Sequence, residues 1–234
     1  MERPPIVFIP GLMDDAFLWA HQVRFLADIA QPIVADITHE DSVDAMAESV
    51  LARVPDRFAL AGFSLGGYVS LAILRRAPAR VQKLALLCTS ARADTDARRG
   101  ERRTLIAETG DASQLERHTR GDMVSNIHPG RLEDAPIVEG IVAMAQRQGP
   151  AVFARQHTAC MGRPDGRPSL PSIACPALVV SGRDDRVLPP TLSQEIADGI
   201  KAARHVTIEE CGHYAPLERP HAVTALLREW LLYA

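Results

Sequence analysis

Cysteine is scarce. The 234 residues hold four, Cys88, Cys160, Cys175 and Cys211, with no Cys-x-x-Cys pair and no spacing that suggests a zinc site. They read as buried thiols of a protein in a reducing, cytoplasmic setting. Positive charge is not in excess either: 26 Lys and Arg face 29 Asp and Glu, a formal net charge of -3. A nucleic-acid or anionic-membrane protein would carry a strong basic surplus, so a small molecule is the expected partner. No stretch approaches the roughly 20 apolar residues of a membrane helix. The first apolar run, Ile6 to Ile9, is stopped by Pro10-Gly11 and is too short for a signal-peptide core. Neither Gly-x-Gly-x-x-Gly nor a P-loop occurs. His21, His39, His118, His128, His157, His205 and His221 lie at no metal-ligand spacing, so neither a nucleotide cofactor nor a metal is expected. Internal repeats and low-complexity segments are also missing.

What is present is apolar sequence in short, bounded runs. Hydrophobic residues make up 47% of the chain, enough for a substantial core in one domain, or in one domain with an insertion. Ile6 to Ile9 is a continuous, β-branched run ended by Pro-Gly, the pattern of a strand buried on both faces of a parallel sheet. Further strands are expected at Pro32 to Asp36, Phe58 to Phe63, Leu84 to Cys88, Ala177 to Ser181 and His205 to Ile208. Helices are expected between them at Phe17 to Ile29, Ser42 to Val54 (Ser42 as N-cap, Pro55 as stop), Leu65 to Ala77, Thr191 to Ile200 and Ala222 to Tyr233. This alternation predicts an α/β fold, a parallel sheet of about six strands flanked by helices. From Ser90 to Leu170 the alternation fails and only helices are expected, at Arg98 to Glu108, Gln114 to Val124, Pro136 to Arg147 and Val152 to Ala159. That divides the chain into a core, residues 1–89 and 171–234, and an inserted helical cap, residues 90–170. Charges nearly balance in the insertion, so Arg98-Arg99-Gly100-Glu101-Arg102-Arg103 reads as a solvated helix face.

Gly62-Phe63-Ser64-Leu65-Gly66 lies between a predicted strand and a predicted helix. In such a nucleophile elbow the serine occupies a strained turn, and the flanking glycines keep neighbouring chain from clashing. A serine nucleophile needs a base to take its proton and an acid to orient that base. Gly182-Arg183-Asp184-Asp185 and Cys211-Gly212-His213 offer both. Each follows a predicted strand, at the edge where open α/β sheets build their sites. The candidate triad is Ser64, His213 and one of the two aspartates.

With the order Ser, Asp, His, the whole chain resembles the α/β-hydrolase superfamily, in particular its small capped carboxylesterases, enol-lactone hydrolases and carbon-carbon hydrolases. The resemblance is carried by Pro10-Gly11-Leu12, Gly62 to Gly67, Gly182 to Pro189, and Gly212-His213 through Glu218-Arg219-Pro220. It implies a triad acid three residues after Gly182, which is Asp185. It also implies an oxyanion hole made by the N–H groups of Leu65 and of Leu12 or its neighbour Met13. Two departures are plain. Pro10-Gly11 replaces the relatives' His-Gly, and the first core strand begins too early for the antiparallel pair that usually precedes it. Serine at the elbow sets the chain apart from haloalkane dehalogenases and epoxide hydrolases, which use aspartate there.

The implied function is cofactor-free hydrolysis of small carboxylic esters through an acyl-enzyme. The alternatives are a carbon-carbon hydrolase or triad-dependent lyase acting on a dicarbonyl or cyclohexadiene acid, and a non-catalytic ligand receptor on the same fold. In the cap, Met144 and Phe153, with Met123 and Met161, are candidates for an acyl pocket or for packing. Asp14 and Asp15 read as capping or first-turn acids, and Trp19 as packing near the site mouth. Arg147, Arg155 and Arg163 read as solvated charges or, in the alternative activity, as partners for a substrate carboxylate.

Overall fold

In the computed structural model, which describes residues 3–201 and 203–234, six strands form one parallel sheet. Met1 and Glu2, with which the N-terminal reading began, and Ala202 lie outside the described residues. The strands are β1 (Pro5–Ile9), β2 (Gln31–Val34), β3 (Phe58–Phe63), β4 (Val81–Leu87), β5 (Ala177–Gly182) and β6 (Ala203–Ile208), in the spatial order β2-β1-β3-β4-β5-β6. The expected α/β sheet is present. Its side chains alternate between two apolar layers. Val7, Ile9, Phe58 and Leu60 pack with α2 (Val43–Leu51), α3 (Leu65–Arg76) and α7 (Pro190–Gly199). Ile6, Phe8, Ala59 and Ala61 pack with α1 (Ala20–Leu26) and α9 (Pro220–Tyr233). Each fully buried Ile, Leu or Phe contributes roughly 1.5–3 kcal/mol, against about 0–1 kcal/mol for an exposed ion pair. The two layers therefore hold the frame.

Several boundaries differ from expectation. The helix expected from Phe17 begins only at Ala20. Before it, Leu18, Trp19 and Ala20 donate to carbonyls three residues back, and Phe17 N–H is taken by the Asp15 carboxylate (2.9 Å), so the chain winds as tight turns. β4 begins at Val81, three residues early, because Val81 pairs with Phe58 across an irregularity in the ladder. Ser42 does cap α2, its hydroxyl accepting from Ala45 N–H.

Between β4 and β5 the described residues form α4 (Asp96–Glu108), α5 (Ala112–Asn126) and α6 (Ala135–Gly162), with no strand. α6 is two helices in line, broken at Gly149 (φ 74°) ahead of Pro150, which has no N–H to donate. A short α8 (Ala215–Glu218) precedes α9. Among the described residues no helix is long and apolar enough to cross a membrane. The cysteines are unpaired, with Cys88, Cys160 and Cys211 buried and Cys175 partly so.

Candidate active site

The chain runs from β1 outward to β2 and returns to β3 on the other side of β1. At such a switch point the loops after neighbouring strands diverge and leave a crevice at the carboxyl ends. Ser64 sits in that crevice, between β3 and α3, with φ 51° and ψ −114°. Such a conformation costs on the order of 1–3 kcal/mol in a residue with a side chain. Its neighbours fix it: Ser64 N–H donates to Leu87 O (3.0 Å), and Ser64 O accepts from Gly67 N–H and the Thr89 hydroxyl. A Cβ on Gly62 would overlap the Gly66 carbonyl, and one on Gly66 would overlap the carbonyls of Ile9 and Pro10. The Gly-x-Ser-x-Gly spacing is thus a packing requirement of the turn.

Ser64 Oγ lies 3.0 Å from His213 Nε2, and His213 Nδ1 lies 2.8 Å from Asp185 Oδ2. The other Asp185 oxygen accepts from the N–H groups of Val187 (2.9 Å) and Leu188 (2.8 Å). The carboxylate keeps the imidazole proton on Nδ1 and leaves Nε2 free to accept from the serine. Asp184 stands apart, part-exposed and 3.8 Å from His128. Burial alone pushes His213 down, but attraction and hydrogen bonding to Asp185, with smaller help from Asp14 and Glu218, carry it above its ordinary value. Glu218, fully buried, holds the loop: its Oε2 accepts from Gly212 N–H (3.1 Å) and, after α5, from His128 N–H (2.8 Å). Cys88, Asp185 and His213 also converge as possible metal ligands. The His213 nitrogens and Asp185 oxygens are already engaged, and burial pushes the Cys88 thiol well up, away from the thiolate that binds metal.

Two amides face the question of an oxyanion. Leu65 opens α3, so its N–H has no intrahelical acceptor. In the loop after β1, Met13 (φ 64°) gives its N–H to Gln156 Oε1 (2.7 Å) from α6. Leu12 N–H, like that of Leu65, has no acceptor among the described residues. Of the two alternatives, Leu12 is the one whose donor is unspent.

Ser64 and His213 open into a cavity of about 360 Å³, within the range of small-ligand sites. Phe153 lines it, its ring 4.1 Å from His157. Met144 does not. It lies before the break in α6, wholly buried in the layer that holds Trp19 and Ile141. Trp19 itself is core, its ring tilted against Phe8 with centres 4.7 Å apart, and it does not line the cavity.

Two lining residues were missed by the sequence reading. Asp14 is no capping acid: it is buried on the cavity wall with both oxygens lacking a hydrogen-bond partner. Burial pushes it up to about 7, against the opposing charge of His213. Arg102 is not on a solvated face. It is 7% exposed and bound to Asp94. Arg147 pairs with Asp15 and Arg155 with Thr38 O, whereas Arg163 reaches the cavity.

Comparison with known proteins accords with this geometry. Residues 6–226 match the alpha/beta hydrolase family. A Mycobacterium tuberculosis protein provisionally named non-heme bromoperoxidase BpoC is 28% identical over 96% of this chain and 92% of its own. A pimeloyl-[acyl-carrier protein] methyl ester esterase of Nitrosomonas europaea is 27% identical over 77% of this chain and 73% of its own. The solved structure of a thermophilic esterase from Thermogutta terrifontis superposes with a TM-score of 0.87 at 26% identity, covering 98% of this chain and 90% of that one. The chain belongs to the alpha/beta hydrolase family.

Proposed function

We propose that the protein is a serine hydrolase that cleaves small carboxylic esters through an acyl-enzyme. The observation that carries this reading is the unbroken relay Ser64–His213–Asp185 opening on a cavity beside two unspent amides. Ser64 Oγ attacks the ester carbonyl while His213 Nε2 takes its proton, and the oxyanion is received by the N–H groups of Leu12 and Leu65. His213 then passes the proton to the departing alcohol. Water, deprotonated by the same nitrogen, attacks the acyl carbon, and the acid leaves as Ser64 regains its proton. Residues 90–170 act as a cap that shapes the substrate pocket, with Phe153 against the substrate. The resemblance to proteins named as esterases supports the ester as substrate.

The test is steady-state turnover of p-nitrophenyl acetate and butyrate by wild type and Ser64→Ala. The variant should fold and lose on the order of 10⁴ to 10⁶ in kcat. A folded Ser64→Ala that keeps its activity would refute the mechanism. Rapid cleavage of a vinylogous diketone with no ester turnover would transfer the relay to carbon-carbon hydrolysis.

A further inference from the structure

Three charged side chains of the cavity wall are bound to one another. Asp94, in the loop after β4, accepts from Arg102 Nε at Oδ2 (2.7 Å) and forms an ion pair with Arg163, its Oδ1 lying 2.7 Å from Nη1, and all three are nearly excluded from solvent. One carboxylate thus faces two guanidinium groups, which leaves one positive charge over. His157 accepts from Arg102 Nη1 (3.1 Å), but burial and the charge of Arg102 hold it neutral, at about 3. Arg163 also donates to Arg92 O and Cys160 O and lies 4.1 Å over the Tyr68 ring. Among the described residues, Nη2 of neither arginine has an acceptor, and neither is sealed away from the cavity.

Among the described residues no other carboxylate of the wall pairs with Arg102 or Arg163. Asp122 stands 3.3 Å from His118, and burial pushes Asp14 up to about 7. Arg92 and Arg98 are matched by Glu195 and Glu101. Bracing the loop after β4 against α4 or α6 would need only one arginine on Asp94. A second guanidinium, buried without an anion of its own, lowers stability unless something else supplies the anion. Guanidinium presents paired N–H groups that fit a carboxylate edge-on.

We propose that Arg102 and Arg163 receive a carboxylate of the substrate, so that the ester cleaved at Ser64 carries a free carboxylate on its acyl or alcohol part. This rests on the ester-hydrolase reading and narrows it. Asp94 orients both arginines, and Leu12, Leu105 and Phe153 of the same wall take the carbon chain between anion and ester.

The experiment compares charged esters with neutral isosteres. Monomethyl succinate, glutarate and adipate place the charge on the acyl side, and acetoxyacetate and 3-acetoxypropionate place it on the alcohol side; each is paired with its terminal carboxamide. For at least one pair, kcat/KM for the carboxylate should exceed that for the carboxamide by about 10- to 100-fold, carried mainly by KM. Arg102→Gln should bring that ratio to about one, and Arg102→Lys should keep part of it. A wild-type ratio near one for every pair, or an undiminished ratio in folded Arg102→Gln, overturns the proposal. If Arg102→Gln does not fold, inhibition of the wild type decides: glutarate should compete more tightly than glutaramate, and equal inhibition overturns the assignment. Ser64-dependent turnover of p-nitrophenyl acetate tests the hydrolase reading separately. With that turnover intact, ratios of one remove only the anion site. With no ester turnover at all, both readings fall.

Discussion

The carboxyl edge of the sheet and the helices between β4 and β5 wall the same cavity by different means. At the sheet edge, backbone does the positioning: a positive φ at Ser64, two amides on Asp185, an unspent donor at the first residue of α3. In the helical segment, side chains do it, through Arg102 and Arg163 on Asp94 and Phe153 beside His157. The two regions meet where His213 N–H donates to Asn126 O (2.8 Å) and Glu218 spans Gly212 and His128. Groups set by main chain survive exchange of neighbouring side chains, so under the proposed function the chemistry would belong to the sheet edge and substrate choice to the helices.

The sharpest way to break this contrast is at the aspartate pair. Asp185→Asn should lower kcat on the order of 10⁴, while Asp184→Asn should change it less than about twofold, since the part-exposed Asp184 carboxylate pairs with His128 at 3.8 Å and makes no contact with the His213 ring among the described residues. A crippling Asp184→Asn would relocate the acid. The pH profile gives the sign independently. His213 must be neutral to act as base, so kcat/KM is present above its pKa and is lost as pH falls through it. Asp185 raises that pKa, so the wild-type limb should lie above the ordinary histidine value of 6.5, and Asp185→Asn should move it to lower pH.

A somewhat smaller effect is expected at Asp14. Its pKa is 3.8 ordinarily and about 7 in the fold. Between those values the unfolded chain is ionised while the native one retains its proton, so wild-type stability falls as pH rises through that window. Relative to Asp14→Asn, the wild type should lose about 4 kcal/mol between pH ~4 and pH ~7, with little further change above. Denaturant midpoints across that range check it. A difference that does not vary with pH would mean that Asp14 is ionised in the fold.

Smallest in transition-state binding, and most specific to the contrast, is a pair of truncations. Met144→Ala should cost about 2–5 kcal/mol of stability and reduce turnover of every ester alike, because Met144 is core. Phe153→Ala should instead reorder acetate, butyrate and octanoate esters by about 1–3 kcal/mol in transition-state binding. Parallel losses in the two variants would erase the distinction between packing and pocket.

The inner strands β1, β3, β4 and β5 were readable because each holds a short, largely buried apolar run, whereas the edge strands β2 and β6 are only part-buried and were placed by the α/β alternation. Ser64 was readable from its glycines, and His213 and Asp185 from their places after strands. The helical wall was not. Arg102 lies in a run whose composition is that of a solvated face; its inward direction depends on Asp94, eight residues upstream beyond the helix start, and on His157 from α6. Asp14 and Asp15 are neighbours with the same chemistry, and only the fold sends one into the cavity and the other to Arg147. Met144 and Phe153 are both apolar residues on one helical stretch, and the break at Gly149 separates the one that packs from the one that lines the site.

The central claim, that Ser64 is the nucleophile of this fold, is tested most directly by intact-mass measurement after treatment with an aryl fluorophosphonate. The account predicts one phosphonyl group per chain, mapped to Ser64 and lost in Ser64→Ala. A fully labelled Ser64→Ala, or wild type labelled only at another serine, would contradict it.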